Sequence, residues 1–309
     1  LFPYTTLFRS MESSGESLWR KIGLKMSQEN LFAALRAAFP ANLDEVAVET
    51  DHGLNYSWRD LDRASAMMAT LAQTAQAGVR RGKLTQEQAS GLLASIQRVP
   101  SVAQLPLGLN LVIESVPERL ALKQAVLRDI DARSPGLIAS NTSSMSIDVL
   151  AQSVFDPQRF IGMHFFNPVW SLQLVELIRG ERTSESTIAL ARQYAESLGK
   201  QTILVRDVPG FATSRLDLIA SLEAMRMVQD GVASAQDIDL AATTAYRHPM
   251  GPLRLSDVVG LDVRLDIARH LAKELGERYA PPRILEELVA RGHLGQKSGK
   301  GFFDWTDAV

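Results

Sequence analysis

Apolar positions along this chain recur at helical spacing first, then switch between strand and helix spacing, and finish at helical spacing alone. In NLFAALRAAF, Leu31, Leu35 and Phe39 fall at i, i+4 and i+8, which predicts a helix. EVAVET and LNYSW alternate as short strands around Asp51-His52-Gly53, a hairpin signal, and RDLDRASAMMATLAQ then places Leu61, Ala64, Met68 and Leu71 on one helical face. Beyond about Ala72 the helical stretch TQEQASGLLASIQ leads into an alternation. It runs strand LNLVIESV, helix RLALKQAVLRDIDA, strand GLIASN, helix SIDVLAQSV, strand FIGMHFF, strand LQLVELI, helix SESTIALARQYAESLG and strand TILVR. Strands interleaved with helices of this length predict a wound α/β sheet. After DVPGF the strands stop. RLDLIASLEAMRMVQ, AQDIDLAATTA, LDVRLDIARHLAKELG and PRILEELVARG are all amphipathic, so residues 208–309 read as an all-helical domain.

Composition narrows the classes of function. A chain of 309 residues, 46% hydrophobic and 22% charged, is an ordinary globular mixture with room for two domains. A net charge of −2 gives no general attraction to nucleic acid or to an anionic membrane, so a small molecule or a protein is the expected partner. The absence of cysteine excludes a disulfide framework, a thiolate nucleophile and a cysteine metal site, and suits the cytoplasm. No metal site is expected. No apolar run approaches the roughly 18 residues of a membrane span, and no secretory signal pattern is present, so the chain is expected to be soluble. The opening LFPYTTLFRS back-translates into a sequencing-library adapter, and the polar MESSGESLWRKIGLK after it lacks periodicity. Residues 1–25 are therefore read as a non-native leader, with Met26 as the start of the native segment.

Candidate chemistry centres on IGMHFFNP, where His164 interrupts an apolar run that reads as a buried strand. By itself such a residue is a satisfied core histidine or a catalytic base. NTSS reads by default as a helix N-cap ahead of MSIDVL, Lys123 as a solvated helix-face residue, and GQKSGKG as a turn needing backbone freedom. Glu118 and Lys123, five apart, do not share a helical face.

From about Ala77 to Trp305 the motifs VIESVPERLALK, ASNTSSMSI, GMHFFNPVWSLQLVELI, DVPGFATSR, YRHPMGPLRLSDVVGLDV and LGQKSGKGFFDW succeed one another in an order that resembles the 3-hydroxyacyl-CoA dehydrogenases, close to the 3-hydroxybutyryl-CoA type. The resemblance implies NAD-dependent oxidation of a (3S)-3-hydroxyacyl-CoA to the 3-oxoacyl-CoA in fatty acid metabolism. That reaction needs a base of near-neutral pKa, for which histidine is suited. By resemblance His164 is the base, Glu176 its orienting carboxylate, and Ser143, twenty-one positions before His164, the serine between substrate oxygen and cofactor. Glu118 and Lys123 match the pair at the ribose and nicotinamide end of NAD, Lys297 matches a basic residue brought to the cofactor, and Asn141 and Asn167 position turns and the nicotinamide amide. Ser214 stands where the family usually has asparagine, at the active site. An acyl-CoA substrate and a homodimer formed through the C-terminal helices are implied as well. Residues 26–74, as helix, hairpin and helix, resemble the opening of acyl-activating ligases of the malonyl-CoA synthetase type, none of whose chemistry lies in that opening.

The sequence also departs from the family. A dinucleotide-binding α/β domain opens with a strand, a G-x-G-x-x-G turn and a helix whose N-terminus holds the pyrophosphate. The twenty glycines here never form that pattern, and the nearest approach is Gly299-Lys300-Gly301. The expected architecture is thus an incomplete Rossmann-type doubly wound sheet over residues 75–207, without its first βαβ segment, followed by the helical domain. The LNLVIE strand is left with an open edge that the hairpin at 45–58 is available to cover. Two alternatives stand beside this expectation: an impaired or inactive chimera retaining the helical dimerisation module, and a dehydrogenase of a CoA-free hydroxy acid.

Overall fold

The computed structural model of the chain describes residues 46–49, 55–97, 99, 101–167, 169 and 171–306. The leader at 1–25, the helix expected in NLFAALRAAF and the turn at 51–54 lie outside the described residues. The chain divides into two compact units, 1–106 and 107–309.

In the first unit, β1 (Val46–Glu49) and β2 (Asn55–Ser57) pair antiparallel, as the hairpin signal predicts. α1 (Trp58–Arg80) runs unbroken through position 74, where the resemblance changes, and packs on α2 (Gln86–Ala94). A capping box starts α2: the Thr85 side chain accepts from the N–H of Gln88, whose side chain accepts from the N–H of Thr85.

The second unit holds the alternating segment. Its strands are β3 (Leu111–Glu114), β4 (Leu137–Ser140), β5 (Phe160–Phe165), β6 (Leu174–Arg179) and β7 (Gln201–Arg206), hydrogen-bonded in that order. β3, β4 and β5 are parallel; β6 returns antiparallel to β5 with no helix between them, and β7 is parallel to β6. The connections carry α3 (Leu120–Asp131), α4 (Ile147–Ala151) and α5 (Glu185–Ser197). One face of the sheet, with Ile161, Met163 and Leu177, buries against Ile188, Ala191 and Ala195 of α5. On β5, Gly162 is required: a Cβ there would lie 2.7 Å from the Ile147 side chain of α4 and 2.8 Å from that of Ile178. β5 is therefore buried on both faces up to His164, which explains its nearly continuous apolar text.

The α/β sheet followed by helices matches the expected fold class. The edge expectation is corrected in one respect. Among the described residues the hairpin is a two-stranded sheet of its own, and β3 has β4 as its strand partner. Its residues Leu111, Val112 and Ile113 are half-buried rather than fully buried, as befits an end strand, with Leu111 and Ile113 packed against the core.

Past β7 come α6 (Thr213–Gln229), α7 (Ala235–Ala245), α8 (Pro252–Val259), α9 (Leu261–Leu275) and α10 (Arg283–Ala290), closed around Leu222, Leu253, Leu265, Leu285 and Trp305. α8 is not apparent in the sequence. It begins at Pro252, whose missing N–H costs nothing in a first turn, and its free N–H groups at Leu253 and Arg254 donate to Asp239 of α7 at 2.9 and 2.8 Å. No helix among the described residues is long and apolar enough to cross a membrane.

Candidate active site

Strand register builds the first half of the site. In the β5–β6 pair His164 stands directly opposite Glu176, and cross-strand partners of this kind bring their side chains into contact. His164 Nδ1 lies 3.1 Å from Glu176 Oε2. His164 is 8% exposed and Glu176 fully buried, so the pair is screened from water but open on the imidazole side. The His164 ring lies 4.4 Å from Phe166 and 6.2 Å from Phe211, centroid to centroid.

The start of α6 completes the carboxylate's surroundings. Gly210 and Phe211 both have positive φ, +72° and +45°. That conformation is unusual for a bulky residue and marks a tight reversal after β7. The reversal aims the first N–H groups of α6 at Glu176: Ala212 and Thr213 donate to Oε1 at 2.8 and 3.1 Å, and the Thr213 hydroxyl donates to Oε2 at 2.8 Å. Burial alone would push the Glu176 carboxyl up; the bonds from His164, Ala212 and Thr213 outweigh it and hold the group below the usual carboxylate range. The group is therefore an anion at neutral pH. An ionised carboxylate only accepts, so Nδ1 carries the proton in the His164–Glu176 bond, and in the neutral form of the ring the lone pair is on Nε2. A buried histidine so held can take a proton from a bound group.

The second half lies at the carboxyl ends of β3 and β4. Lys123 is not the solvated helix residue that its surroundings in the sequence suggest but is fully buried. Its ammonium donates to Glu114 Oε1 and Oε2 at 2.9 and 3.0 Å and to the Asn141 carbonyl at 3.0 Å. Glu118 approaches it at 3.4 Å, because Glu118 precedes α3 instead of sharing a face of it. Glu118 also bonds Thr142 and accepts from the Ser143 N–H at 3.2 Å and the Ser144 hydroxyl at 3.1 Å. Burial raises its carboxyl, and the bonds from Thr142 and Ser144 with the charge of Lys123 bring it below the usual range. The turn NTSS is organised by Thr142, whose hydroxyl accepts from the N–H groups of Ser144 and Met145, while the cap of α4 is Ser146. The capping role expected of NTSS thus moves two residues on. Asp207, at the exit of β7, accepts from the Ser146 hydroxyl at 2.7 Å and the Asp148 N–H at 2.8 Å.

Asn141 joins the halves: its side-chain oxygen accepts from the N–H of Phe165 at 3.1 Å, next to His164. Of the residues singled out in the sequence, Glu118, Lys123, Asn141, Ser143, His164 and Glu176 thus belong to one bonded chain. Ser214 does not: it is partly buried, and no hydrogen bond of its side chain forms among the described residues, whereas Thr213 beside it reaches Glu176. Asn167 is exposed in the loop after β5. Lys297 is exposed and paired with Asp262 at 2.5 and 2.6 Å in the turn before the C-terminus. That turn does require its glycines, since a Cβ on Gly295 would lie 2.2 Å from the Asp257 carbonyl oxygen. Glu114 and Thr213 were not singled out in the sequence; a carboxylate closing an apolar strand and a hydroxyl opening a helix are the signals that mark them.

Sheets of this type bind a dinucleotide outside the carboxyl ends of their parallel strands. Glu118, Asn141 and the exposed Ser143 are there, and a carboxylate, an amide and a hydroxyl suit ribose hydroxyls and a carboxamide. The residues present therefore fit the ribose and nicotinamide end of NAD. They do not supply the glycine turn for its pyrophosphate.

Residues 44–208 match the profile described as 3-hydroxyacyl-CoA dehydrogenase, NAD binding domain, and residues 210–305 that of the 3-hydroxyacyl-CoA dehydrogenase C-terminal domain. The first match begins upstream of Ala77, where the motifs start. A probable 3-hydroxybutyryl-CoA dehydrogenase of Bacillus subtilis is 37% identical over 249 residues, 80% of this chain and 86% of the relative. The 3-hydroxybutyryl-CoA dehydrogenase of Mycobacterium tuberculosis is 39% identical over 243 residues, 76% of this chain and 84% of the relative. Among solved structures, the (S)-3-hydroxybutyryl-CoA dehydrogenase of Ralstonia eutropha superposes with a TM-score of 0.73 at 39% identity, covering 77% of this chain and 84% of that one. These matches, over a sheet followed by helices, place the chain in the NAD-dependent 3-hydroxyacyl-CoA dehydrogenase family.

Proposed function

We propose that the chain oxidises a short (3S)-3-hydroxyacyl-CoA to the 3-oxoacyl-CoA, with His164 as general base and Glu176 as its partner. The observation that carries this reading is the His164–Glu176 bond, made by a carboxylate kept ionised on the far side of the ring. His164 takes the C3 hydroxyl proton on Nε2 as the carbonyl forms. Glu176 holds the ring and offsets the positive charge that appears on it, and Phe166 and Phe211 keep water from the ring faces. Ser143 donates to the substrate oxygen, while Glu118 and Asn141 hold the ribose and carboxamide. NAD, when bound, supplies the hydride acceptor. Lys123 acts at one remove, since its three donors are engaged with Glu114 and Asn141. The chain works in the cytoplasm as a homodimer formed through its C-terminal helices. Acetoacetyl-CoA reduction, followed by loss of NADH absorbance, tests the activity. His164→Gln should lower kcat by about 10²- to 10⁴-fold, and a variant turning over at the parent rate would overturn the assignment of the base.

A second reading is favoured by one observation, the missing glycine turn: a chain that keeps the catalytic pair but binds NAD weakly and turns over slowly. Fluorescence titration with NADH distinguishes the two, because a micromolar dissociation constant rules out the weak binder. The leader at 1–25 as non-native sequence, and 26–74 as a ligase-like fragment, remain proposals of origin. The family match from residue 44 offers residues 44–74 a second ancestry. Continuous genomic reads across Leu71–Ala77 would establish a real fusion.

A further inference from the structure

Glu176 accepts hydrogen bonds at both oxygens, and they are not equivalent. Oε1 is taken by two backbone donors, the N–H groups of Ala212 and Thr213. Oε2 is shared between His164 Nδ1 at 3.1 Å and the Thr213 hydroxyl at 2.8 Å. The oxygen that orients the base is thus also held by a side chain, and by the shorter of the two bonds. We propose, resting on the reading of His164 as base, that Thr213 is a positioning residue whose hydroxyl fixes Glu176 Oε2 and limits the negative charge which that oxygen lends to the imidazole.

Three features support this. First, Thr213 opens α6, a helix of 17 residues whose first N–H groups are already spent on the same carboxylate. The hydroxyl is therefore held where the helix start holds its backbone and is not free to turn to solvent without leaving an acceptor unpaired. Second, the reversal through Gly210 and Phe211 over-determines the approach, for Phe211 is buried with a positive φ and faces the His164 ring. Third, the neighbouring polar residue in the same motif, Ser214, makes no such bond, so the interaction belongs to position 213 and not to a generally polar segment. Around Glu176, β5 contributes His164, α6 and its lead-in contribute Ala212 and Thr213, and β7 lies alongside through Ile203. His164 is the titratable group among those bonded to Glu176 in the described residues.

Two donors competing for one oxygen each weaken what the other receives. Removing the hydroxyl should leave Glu176 less well solvated as an anion and should let Oε2 bond His164 more strongly. The first effect raises the carboxyl's own titration; the second moves the acid limb of activity to higher pH. The probe is the full chain with ¹³C-labelled glutamate, titrated by NMR without substrate or cofactor, as parent, Thr213→Val and Thr213→Ser. In Thr213→Val, which keeps the shape and both backbone donors, the Glu176 midpoint should rise by about one to two units, the size of one hydrogen bond to a charged group. Thr213→Ser should restore it. In turnover, the acid limb of kcat/KM should move upward in Thr213→Val and return in Thr213→Ser. An unchanged Glu176 midpoint in Thr213→Val overturns the proposal, as does a rise that Thr213→Ser leaves in place. Should Thr213→Val fold poorly, Thr213→Ala serves with the same criterion. A parent without turnover whose carboxyl still responds to position 213 would overturn the dehydrogenase reading and leave standing only the hold of Thr213 on Glu176.

Discussion

Replacing Lys123 by methionine should be among the most damaging single changes in the sheet unit, and the structure says why. Lys123 and Glu114 have fully buried side chains, and each is completely bonded. The ammonium spends its three donors on the two Glu114 oxygens and the Asn141 carbonyl, while Glu114 also accepts from the Ser140 hydroxyl at 2.6 Å and the Val116 N–H at 2.5 Å. Methionine fills nearly the same volume, so little of the effect comes from a cavity. What it removes is the compensating charge, leaving a buried carboxylate with two neutral donors and the Asn141 carbonyl with none. Breaking one side of a buried pair costs about 3–5 kcal/mol, a large share of the roughly 5–15 kcal/mol that stabilises a domain. Urea unfolding followed by far-ultraviolet circular dichroism measures it, as a lower midpoint at unchanged slope. The control is the double variant Lys123→Met, Glu114→Gln, whose uncharged amide can accept from the Val116 N–H with its oxygen and donate to the Ser140 hydroxyl with its NH2. It should be more stable than Lys123→Met alone by about 1 kcal/mol or more, because the uncompensated charge is gone. A cost below about 1 kcal/mol for Lys123→Met, or a double variant less stable than the single, would show that the pair is not a buried, mutually dependent unit.

Glu176 and Asp257 yield two more. Because the Glu176 carboxyl is held below the usual range, it contributes stability that is complete above the ordinary glutamate pKa and disappears as pH falls through its lowered value. Glu176→Gln should therefore be less stable than the parent at neutral pH and lose less on acidification, with the two curves converging at the acid end; thermal unfolding across pH 2–7 checks it, and a constant gap would refute it. Asp257 is fully buried and accepts from the N–H groups of Phe302 and Phe303 and from Trp305 Nε1, at 3.0, 2.9 and 2.9 Å. Asp257→Ala should orphan three donors, cost about 3 kcal/mol or more and speed amide exchange at Phe302 and Phe303; exchange at the parent rate would contradict it.

The pairing of His164 with Glu176, which the resemblance implies, has a physical basis in the chain. Two adjacent apolar strands with no room for a helix between them must return antiparallel, and a residue near the end of one then faces a residue near the start of the other. His164 and Glu176 satisfy that condition, so His164 is both buried within β5 and bonded to a carboxylate. Lys123 was harder for a physical reason. A lysine at a helix start is solvated unless a carboxylate waits beneath it, and Glu114 comes from another element, so the burial of either is decided by the sheet and not by its neighbours in sequence. α8 was missed on similar grounds, its first turn being capped by Asp239 from the preceding helix rather than by a residue of its own.

The remaining difference concerns which residue of DVPGFATSR bonds Glu176. Pattern alone points to Ser214, because that is where this chain departs from the family. The geometry points one residue earlier, since a helix start delivers its first N–H groups and its first side chain together to whatever anion lies in front of it. In this chain the anion is Glu176 and the side chain is a threonine that can donate a third bond. A departure from a motif marks a place to look, but the direction of the helix decides which side chain reaches the Glu176 carboxylate. The bonds of Glu176 to His164, Ala212 and Thr213 are accordingly made by elements on both sides of the chain reversal at Gly210 and Phe211. A change in that reversal acts on His164 through Glu176 without touching either.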